Sequence, residues 1–331
     1  VGNLKFITFT DVHVSPVNPA SRKGSYEQDI INKLEQIKAL GIEEKVDFFI
    51  FAGDLFHLKA PLRNTHELNT ILINLFKTFP APIYATEGNH DLRNDSYDTF
   101  SEQPMKVLYS SDALIQARDI RGNKNGISFR VRSIPFQEEP DLSLIERAKG
   151  DDLSIFILHL YATYDGGMFF KTRLFSYHEI AALMDDVFVL GHYHLDQGIQ
   201  TVSDFGKDQY FVNVGAVSRG SLNEDDVKRQ PKVALISVTK EEDGKVSIEH
   251  NAIPLKVKSI AEAFDVVVHE REKKEQKEAE EFVSKLKTEM VDVEKEDRIA
   301  DEVSQLGLEK KVLDKVNYFL NEAHLQRKLI E

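Results

Sequence analysis

The 331-residue chain has no cysteine and no tryptophan. The first absence excludes a disulfide-built fold, a thiolate zinc site, a cysteine-held iron–sulfur cluster and a cysteine nucleophile. The second leaves 21 phenylalanines and 10 tyrosines as the large core material. No apolar run reaches the roughly 18 residues of a membrane span. The opening VGNLKFITFT reads as a strand, not a signal peptide, and the Val1 start as that of a processed or trimmed chain. Positive charge is in deficit, with 42 Lys and Arg against 55 Asp and Glu and a formal net charge of −13. That argues against a protein coating nucleic acid nonspecifically, although bound cations and a few Lys or Arg can reverse the local field. The expectation is an intracellular, globular protein of about two domains.

Residues 1–255 alternate strand and helix patterns. Strands are expected at Leu4–Thr10, Val46–Ala52 and Ile83–Thr86, with helices at Tyr26–Leu40 and Leu68–Phe79 between them. The second half favours strands: Ile127–Ile134, Leu153–His159, Val187–Leu190, Tyr210–Val214 and Val233–Thr239. The run LSIFILH suggests a strand buried on both faces. This is an α/β pattern, compatible with two sheets packed face to face under helices or with one large sheet. After about Lys256 the composition shifts, and residues 262–331 carry 13 basic and 19 acidic residues. Helices are expected at 271–287, 297–306 and 308–325. The chain therefore divides into a domain at 1–255 and a smaller region at 256–331.

Six of the eleven histidines cluster with carboxylates and an amide at expected strand ends. The segments are Asp11-Val12-His13, Gly53-Asp54-Leu55-Phe56-His57, Gly88-Asn89-His90-Asp91, His159 and Gly191-His192-Tyr193-His194. Oxygen and imidazole donors of this kind suit divalent Mn, Fe or Zn. Glycines before Asp54, Asn89 and His192 would allow abrupt turns into ligand-bearing loops. A lone histidine is usually structural; the ordered set at strand ends points to a metal site.

These segments, DVH, GDLFH, GNHD, ILHLY and GHYH, resemble the calcineurin-like metallophosphoesterase superfamily. GDLFH, with His57 three residues after Asp54, resembles the variant in the SbcD-type nuclease subunit of DNA double-strand-break repair complexes and its archaeal, eukaryotic and phage counterparts. The resemblance implies a two-sheet β-sandwich flanked by helices, with a smaller α/β or helical C-terminal region. It implies two divalent ions, Mn²⁺ foremost: one on Asp11, His13, Asp54 and His194, the other on Asp54, Asn89, His159 and His192. Ions about 4 Å apart grip one phosphoryl group, and activated water attacks phosphorus in line. By the same resemblance His90 stabilises the transition state or protonates the leaving oxygen. Asp91 would fix the His90 ring, and His57 would orient the substrate backbone.

Candidate DNA contacts are Arg22, Lys23, Lys59 and Arg63, which follow the first motifs, and the cluster Arg118, Arg121, Lys124, Arg130 and Arg132. That cluster is either an ordinary solvated hairpin or a grip on DNA backbone away from the metals. Ser218 and Arg219 either contact phosphate or stabilise their loop. Departures from the pattern occur at Val14-Ser15-Pro16, Val214 and Ala216. The family reading implies an exonuclease, with single-strand or hairpin endonuclease activity, acting in DNA end processing. It also implies a homodimer working with an ABC-type coiled-coil ATPase of the SbcC class, in the cytoplasm or nucleoid, or in host cytoplasm for a phage chain. Apolar positions from Ile299 to Leu325 would dock that ATPase or pack on the catalytic domain. The alternatives are a small-substrate metallophosphodiesterase and a non-catalytic subunit of an ATPase complex.

Overall fold

A computed structural model describes residues 1–267 except 20, 170, 171 and 223, together with 270, 271, 274 and 277. It divides into two units, Val1–Phe264 and Asp265–Glu331. The helices expected at 271–287, 297–306 and 308–325 lie wholly or largely outside the described residues, so the fold below is that of the first unit. No described helix is long and apolar enough to cross a membrane.

Two six-stranded mixed sheets form the frame. The first contains β1 (Gly2–Phe9), β2 (Phe48–Phe51), β3 (Ile83–Ala85) and β4 (Ile115–Gln116), which run parallel in that order. The second contains β5 (Asp119–Lys124), β6 (Ile127–Ser133) and β7 (Leu153–Leu160). A three-stranded side sheet follows from β8 (Ala162–Thr163), β9 (Gly167–Phe169) and β10 (Thr172–Ser176). The chain then returns to the second sheet with β11 (Val187–His192), β12 (Gly198–Val202) and β13 (Gln209–Asn213). It closes the first with β14 (Lys232–Lys240), antiparallel to β1, and β15 (Val246–Pro254). In the second sheet β6, β7, β11 and β13 are parallel neighbours.

The strand period of two explains the layering. Phe6, Phe48 and Ile50 turn toward Ile127, Val131, Ile155 and Val189 and form the core between the sheets. Their neighbours Ile7, Phe49 and Phe51 face outward against Ile30, Leu34, Ile37, Leu68 and Leu72. Those residues lie on α1 (Tyr26–Glu44) and α2 (His66–Phe76). Short α3 (Pro104–Ser110) covers the same face through Met105 and Leu108. On the outer face of the second sheet, Phe156, Phe188 and Phe211 pack with Tyr177 and Ile180 of α4 (Tyr177–Ala181). Every residue of β7 is buried, as a strand covered on both faces must be. The α/β sandwich is therefore two sheets, not one.

Parallel β1, β2 and β3 end at one sheet edge, as do parallel β7 and β11 in the other sheet. The loops bearing the motifs leave from these ends, where open α/β sheets present their ligands.

Candidate metal centre

Asp11 and His13 follow β1, Asp54 follows β2, and Asn89–Asp91 form a short turn after β3. His159 sits near the end of β7, His192 ends β11, and His194 lies two residues beyond. Their donor atoms, with those of His57, gather into three groups that could each hold a metal ion: Asp11, His13, Asp54 and His194; Asp54, His159 and His192; and His13, His57 and His90. Asp54 belongs to the first two. His13 Nε2 is 3.0 Å from His194 Nε2 and 3.4 Å from Asp54 Oδ2, and His194 Nε2 is 3.4 Å from Asp11 Oδ1. His159 Nε2 is 3.4 Å from Asp54 Oδ1.

Asn89 joins the second group. Its side-chain oxygen lies 3.3 Å from His159 Nε2, and that same position is 2.9 Å from His192 Nδ1 and 3.3 Å from Asp54 Oδ2. With oxygen inward, the amide adds one lone pair to three others, an arrangement that favours a divalent cation among them. His159 is oriented for this, because its Nδ1 donates to Ala52 O at 2.7 Å and leaves Nε2 as the inward lone pair. The residues present therefore fit two divalent ions sharing Asp54.

The backbone is strained where these ligands sit. Asp11, His13, Asp54 and His192 have φ of 52°, 46°, 59° and 82°, a left-handed region costing non-glycine residues about 1 kcal/mol or more each. Neighbours hold the conformation in place. Thr10 Oγ1 donates to Asp11 Oδ2 at 2.8 Å, and the His192 amide donates to the same carboxylate. Of the three motif glycines only Gly53 has a left-handed φ, 92°. Gly88 serves close approach instead of a turn: a Cβ there would lie 2.1 Å from Asp54 Oδ1.

Electrostatics follow from burying acids among imidazoles. Burial pushes the Asp54 carboxyl up, but His159, His13 and His90 hold it well below the usual range. Burial likewise raises Asp11, while hydrogen-bonded His194 brings it down to about 2. Burial depresses His159, yet the Asp54 carboxylate outweighs it and lifts the ring to about 9. His192 falls to about 3 through burial and the neighbouring His159. Asp54 thus draws a positive charge to itself, a demand that a metal ion can meet in place of a proton.

His90 and His57 border the first group, and their rings are 4.7 and 5.8 Å from that of His13. His90 is half-buried and His57 exposed. The expected Asp91–His90 contact is corrected. The Asp91 carboxylate accepts backbone N–H bonds from Asp54, Leu55, Phe56 and Gly88 at 2.8–3.1 Å. His90 Nδ1 instead lies 2.7 Å from His57 O. Asp91 holds two metal-motif loops together.

The basic cluster at 118–132 is spent on carboxylates. Arg118 pairs with Glu87, Arg121 with Asp151, and Lys124 with Asp47. Arg130 and Arg132 are buried against Asp119 and Asp185. β5 and β6 do form the expected hairpin; Arg130 and Arg132 are tied into it, while Arg121 and Lys124 stay exposed. Lys59 pairs with Asp95 while its Nζ lies 3.3 Å from the Asn89 side-chain nitrogen, so it stands at the rim of the centre. Arg22 pairs with Asp29. Ser218 and Arg219 are buried in the segment after β13, where the Ser218 amide donates to Asp11 O.

Beside the second group lies a cavity of about 170 Å³, lined by Asn89, His192, Phe136 and Tyr161 among others. The Tyr161 ring is 3.9 Å from His192 and the Phe136 ring 5.3 Å. Neither aromatic was singled out from sequence. Tyr161 follows His159 by two residues and had that signal, whereas Phe136 had none.

A family model for calcineurin-like phosphoesterases matches residues 4–196. The DNA double-strand break repair protein Mre11 of Archaeoglobus fulgidus is 27% identical over 140 residues, which span 40% of this chain and 29% of that protein. A Staphylococcus aureus protein provisionally named a 5′-nucleotidase, crystallised with alpha-ketoglutarate, is 14% identical. That match covers 82% of this chain and 58% of that one, with a TM-score of 0.46. A hypothetical protein from Thermus thermophilus is 10% identical over 76% of this chain and 100% of that one, with a TM-score of 0.45.

Proposed function

The chain belongs to the calcineurin-like phosphoesterase family, and from that premise we propose that it is a two-metal DNA phosphodiesterase. The observation that carries the two-metal reading is the pair of ligand groups meeting at Asp54. His57 and His90 at the rim, together with the partial likeness to Mre11, support the choice of DNA. In this reading the protein is an exonuclease, with single-strand or hairpin endonuclease activity, that processes DNA ends with Mn²⁺.

The residues divide the work. Asp11, His13, Asp54 and His194 would hold one ion, and Asp54, Asn89, His159 and His192 the other. Bound there, the ions would polarise the phosphoryl group and lower the pKa of a nucleophilic water. His90, with Nδ1 anchored on the His57 carbonyl, presents Nε2, which in the imidazolium form would donate its proton to the leaving oxygen. His57 positions the backbone at the rim, and Lys59 offers a charge beside it. Phe136 and Tyr161 wall the cavity and give a nucleobase or sugar an apolar surface to rest on. Residues 1–255 serve as the catalytic domain and 256–331 as a region for docking. The partners are a second copy and a coiled-coil ATPase of the SbcC class.

One observation favours a small phosphodiester as substrate. Each cation of the 118–132 cluster named above already faces a carboxylate, which lowers the net positive charge of the most evident track for a long polyanion. End-labelled single- and double-stranded DNA, assayed with Mn²⁺ or EDTA beside bis-p-nitrophenyl phosphate, separates the readings. Mn-dependent DNA degradation is expected. Hydrolysis of the small diester with DNA left intact would transfer the assignment to the small-substrate reading.

A further inference from the structure

A second cavity, of about 180 Å³, lies between α1, the segment following β13 and residues 256–263. None of its lining residues is a ligand candidate of the metal centre. Five of the ten are cationic, Arg22, Lys33, Arg219, Lys256 and Lys258, against a single carboxylate, Asp29. The chain as a whole carries −13, so this concentration of positive charge runs against its composition.

Asp29 does not balance it. Its two oxygens are shared between Arg22 and Lys258. Lys33 and Arg219 are only 6% and 7% exposed. One of the three ammonium donors of Lys33 goes to Val217 O at 2.7 Å, and Arg22 reaches Arg219 O at 3.3 Å. Arg22 Nε is buried with no hydrogen-bond partner among the described residues. Burial, and after it repulsion from Arg219, Arg22 and Arg229, pulls Lys33 down to about 7. Like charges gathered in a cleft repel strongly where water is scarce, and an anion among them reverses the sign of that energy.

We propose that this pocket is a binding site for a phosphate group. The guanidinium groups of Arg22 and Arg219 and the ammonium groups of Lys33 and Lys258 meet here from separate parts of the chain, with Lys256 at the exposed margin. A tetrahedral oxyanion offers acceptors in all those directions, whereas a planar carboxylate is satisfied by one arginine fork. The clamp also bears on the metal centre through the backbone. Lys33 and Arg22 hold the Val217 and Arg219 carbonyls, while the Val217 and Ser218 amides donate to Thr10 O and Asp11 O at 3.1 Å each. A phosphate seated here braces the segment that supports Asp11. The phosphate is either a free dianion or a phosphodiester of a nucleic-acid backbone.

The site is tested without turnover, so the result is independent of the reaction proposed above. The full chain, stripped of metal with EDTA, is titrated calorimetrically with inorganic phosphate. A separate titration uses a short single-stranded oligonucleotide lacking terminal phosphates. Lys256 is exposed, so Lys256→Glu reverses one pocket charge at little risk to folding, and Lys33→Met probes the buried end. Lys77→Glu, outside the lining, is the control for net charge. A saturable phosphate isotherm that Lys256→Glu weakens by about tenfold or more, as loss of a charge-assisted contact should, supports the free dianion. Weakening of the oligonucleotide alone, with Lys77→Glu neutral, supports the backbone phosphodiester. Failure of both probes to bind, or binding that both pocket variants leave unchanged, overturns the proposal. So does equal weakening by the Lys77→Glu control.

Discussion

His90 and Asp91 are adjacent but act on different things. His90 commits Nδ1 to a backbone carbonyl, so its catalytic use rests on Nε2 alone. His90→Gln is expected to lower turnover by at least about 10²-fold, with metal content by elemental analysis nearly unchanged. Retention of a tenth of the wild-type rate would remove His90 from its role. Asp91→Ala strips the acceptor from four buried backbone amides. Unsatisfied buried donors cost about 1–3 kcal/mol each, so denaturant melts should show a loss of about 3 kcal/mol or more, together with weaker metal binding. Asp91→Asn, which keeps one oxygen, should lose less. Lys33 provides a pH signature. Its pKa in the fold is about 7, below the ordinary 10.5, so between those values the unfolded chain binds more protons. Its contribution to stability is therefore least favourable below pH 7 and improves as pH rises toward 10.5, by about 1.4 kcal/mol per unit of difference. Chemical denaturation in phosphate-free buffer should show that rise in the wild type. Its persistence in Lys33→Met would assign it to other groups.

At the scale of elements, helix α1 lies on the sheet because Gly41 has no side chain. A Cβ at that position would lie 2.1 Å from the Phe49 ring. Helix propensity alone predicts that Gly41→Ala stabilises by up to about 1 kcal/mol. Overpacking should win, giving a net loss of about 1–3 kcal/mol in urea melts; a gain would mean that α1 shifts freely. Interior strands were legible because their apolar runs are continuous, and β1, β2, β7 and β11 fall within a few residues of expectation. Of the strands without an expectation of their own, β4, β5, β12 and β15 are the edges of the two large sheets, with mostly half-buried or exposed residues, and β8, β9 and β10 make up the short side sheet. One polar face and one unpaired edge leave little hydrophobic signal. α1 runs on to Glu44, beyond the expected Leu40, because Gly41 continues the helix instead of ending it.

For the whole molecule, the metals are expected to act as stabilising ligands. Strained ligand backbones and converging lone pairs are tolerable in the apo protein but favoured when cations are present. Elemental analysis should find two divalent ions per chain. Adding Mn²⁺ at 100 times its Kd to EDTA-treated protein should raise stability by about 2.7 kcal/mol for each site filled. An unchanged melting temperature together with absent metal uptake would contradict the two-ion reading. The candidate ligands could be picked out in the sequence because each lies at a strand end with its chemistry encoded within a few residues, as in DVH, GNHD and GHYH. Other features depend on contacts between distant segments. Only packing could show that Asp91 serves amides from the Asp54 loop, or that Arg130 and Arg132 meet carboxylates across strands. The choice of two sheets over one was likewise open in the pattern, since a strand buried on both faces reads the same in either. The pocket at Arg22, Lys33 and Arg219 is the furthest case: its charges are separated by nearly two hundred residues and meet only when the segment after β13 lies beside α1. Residue type and local period are written into short stretches of sequence, whereas the partner of a charge is decided by the fold that brings it near.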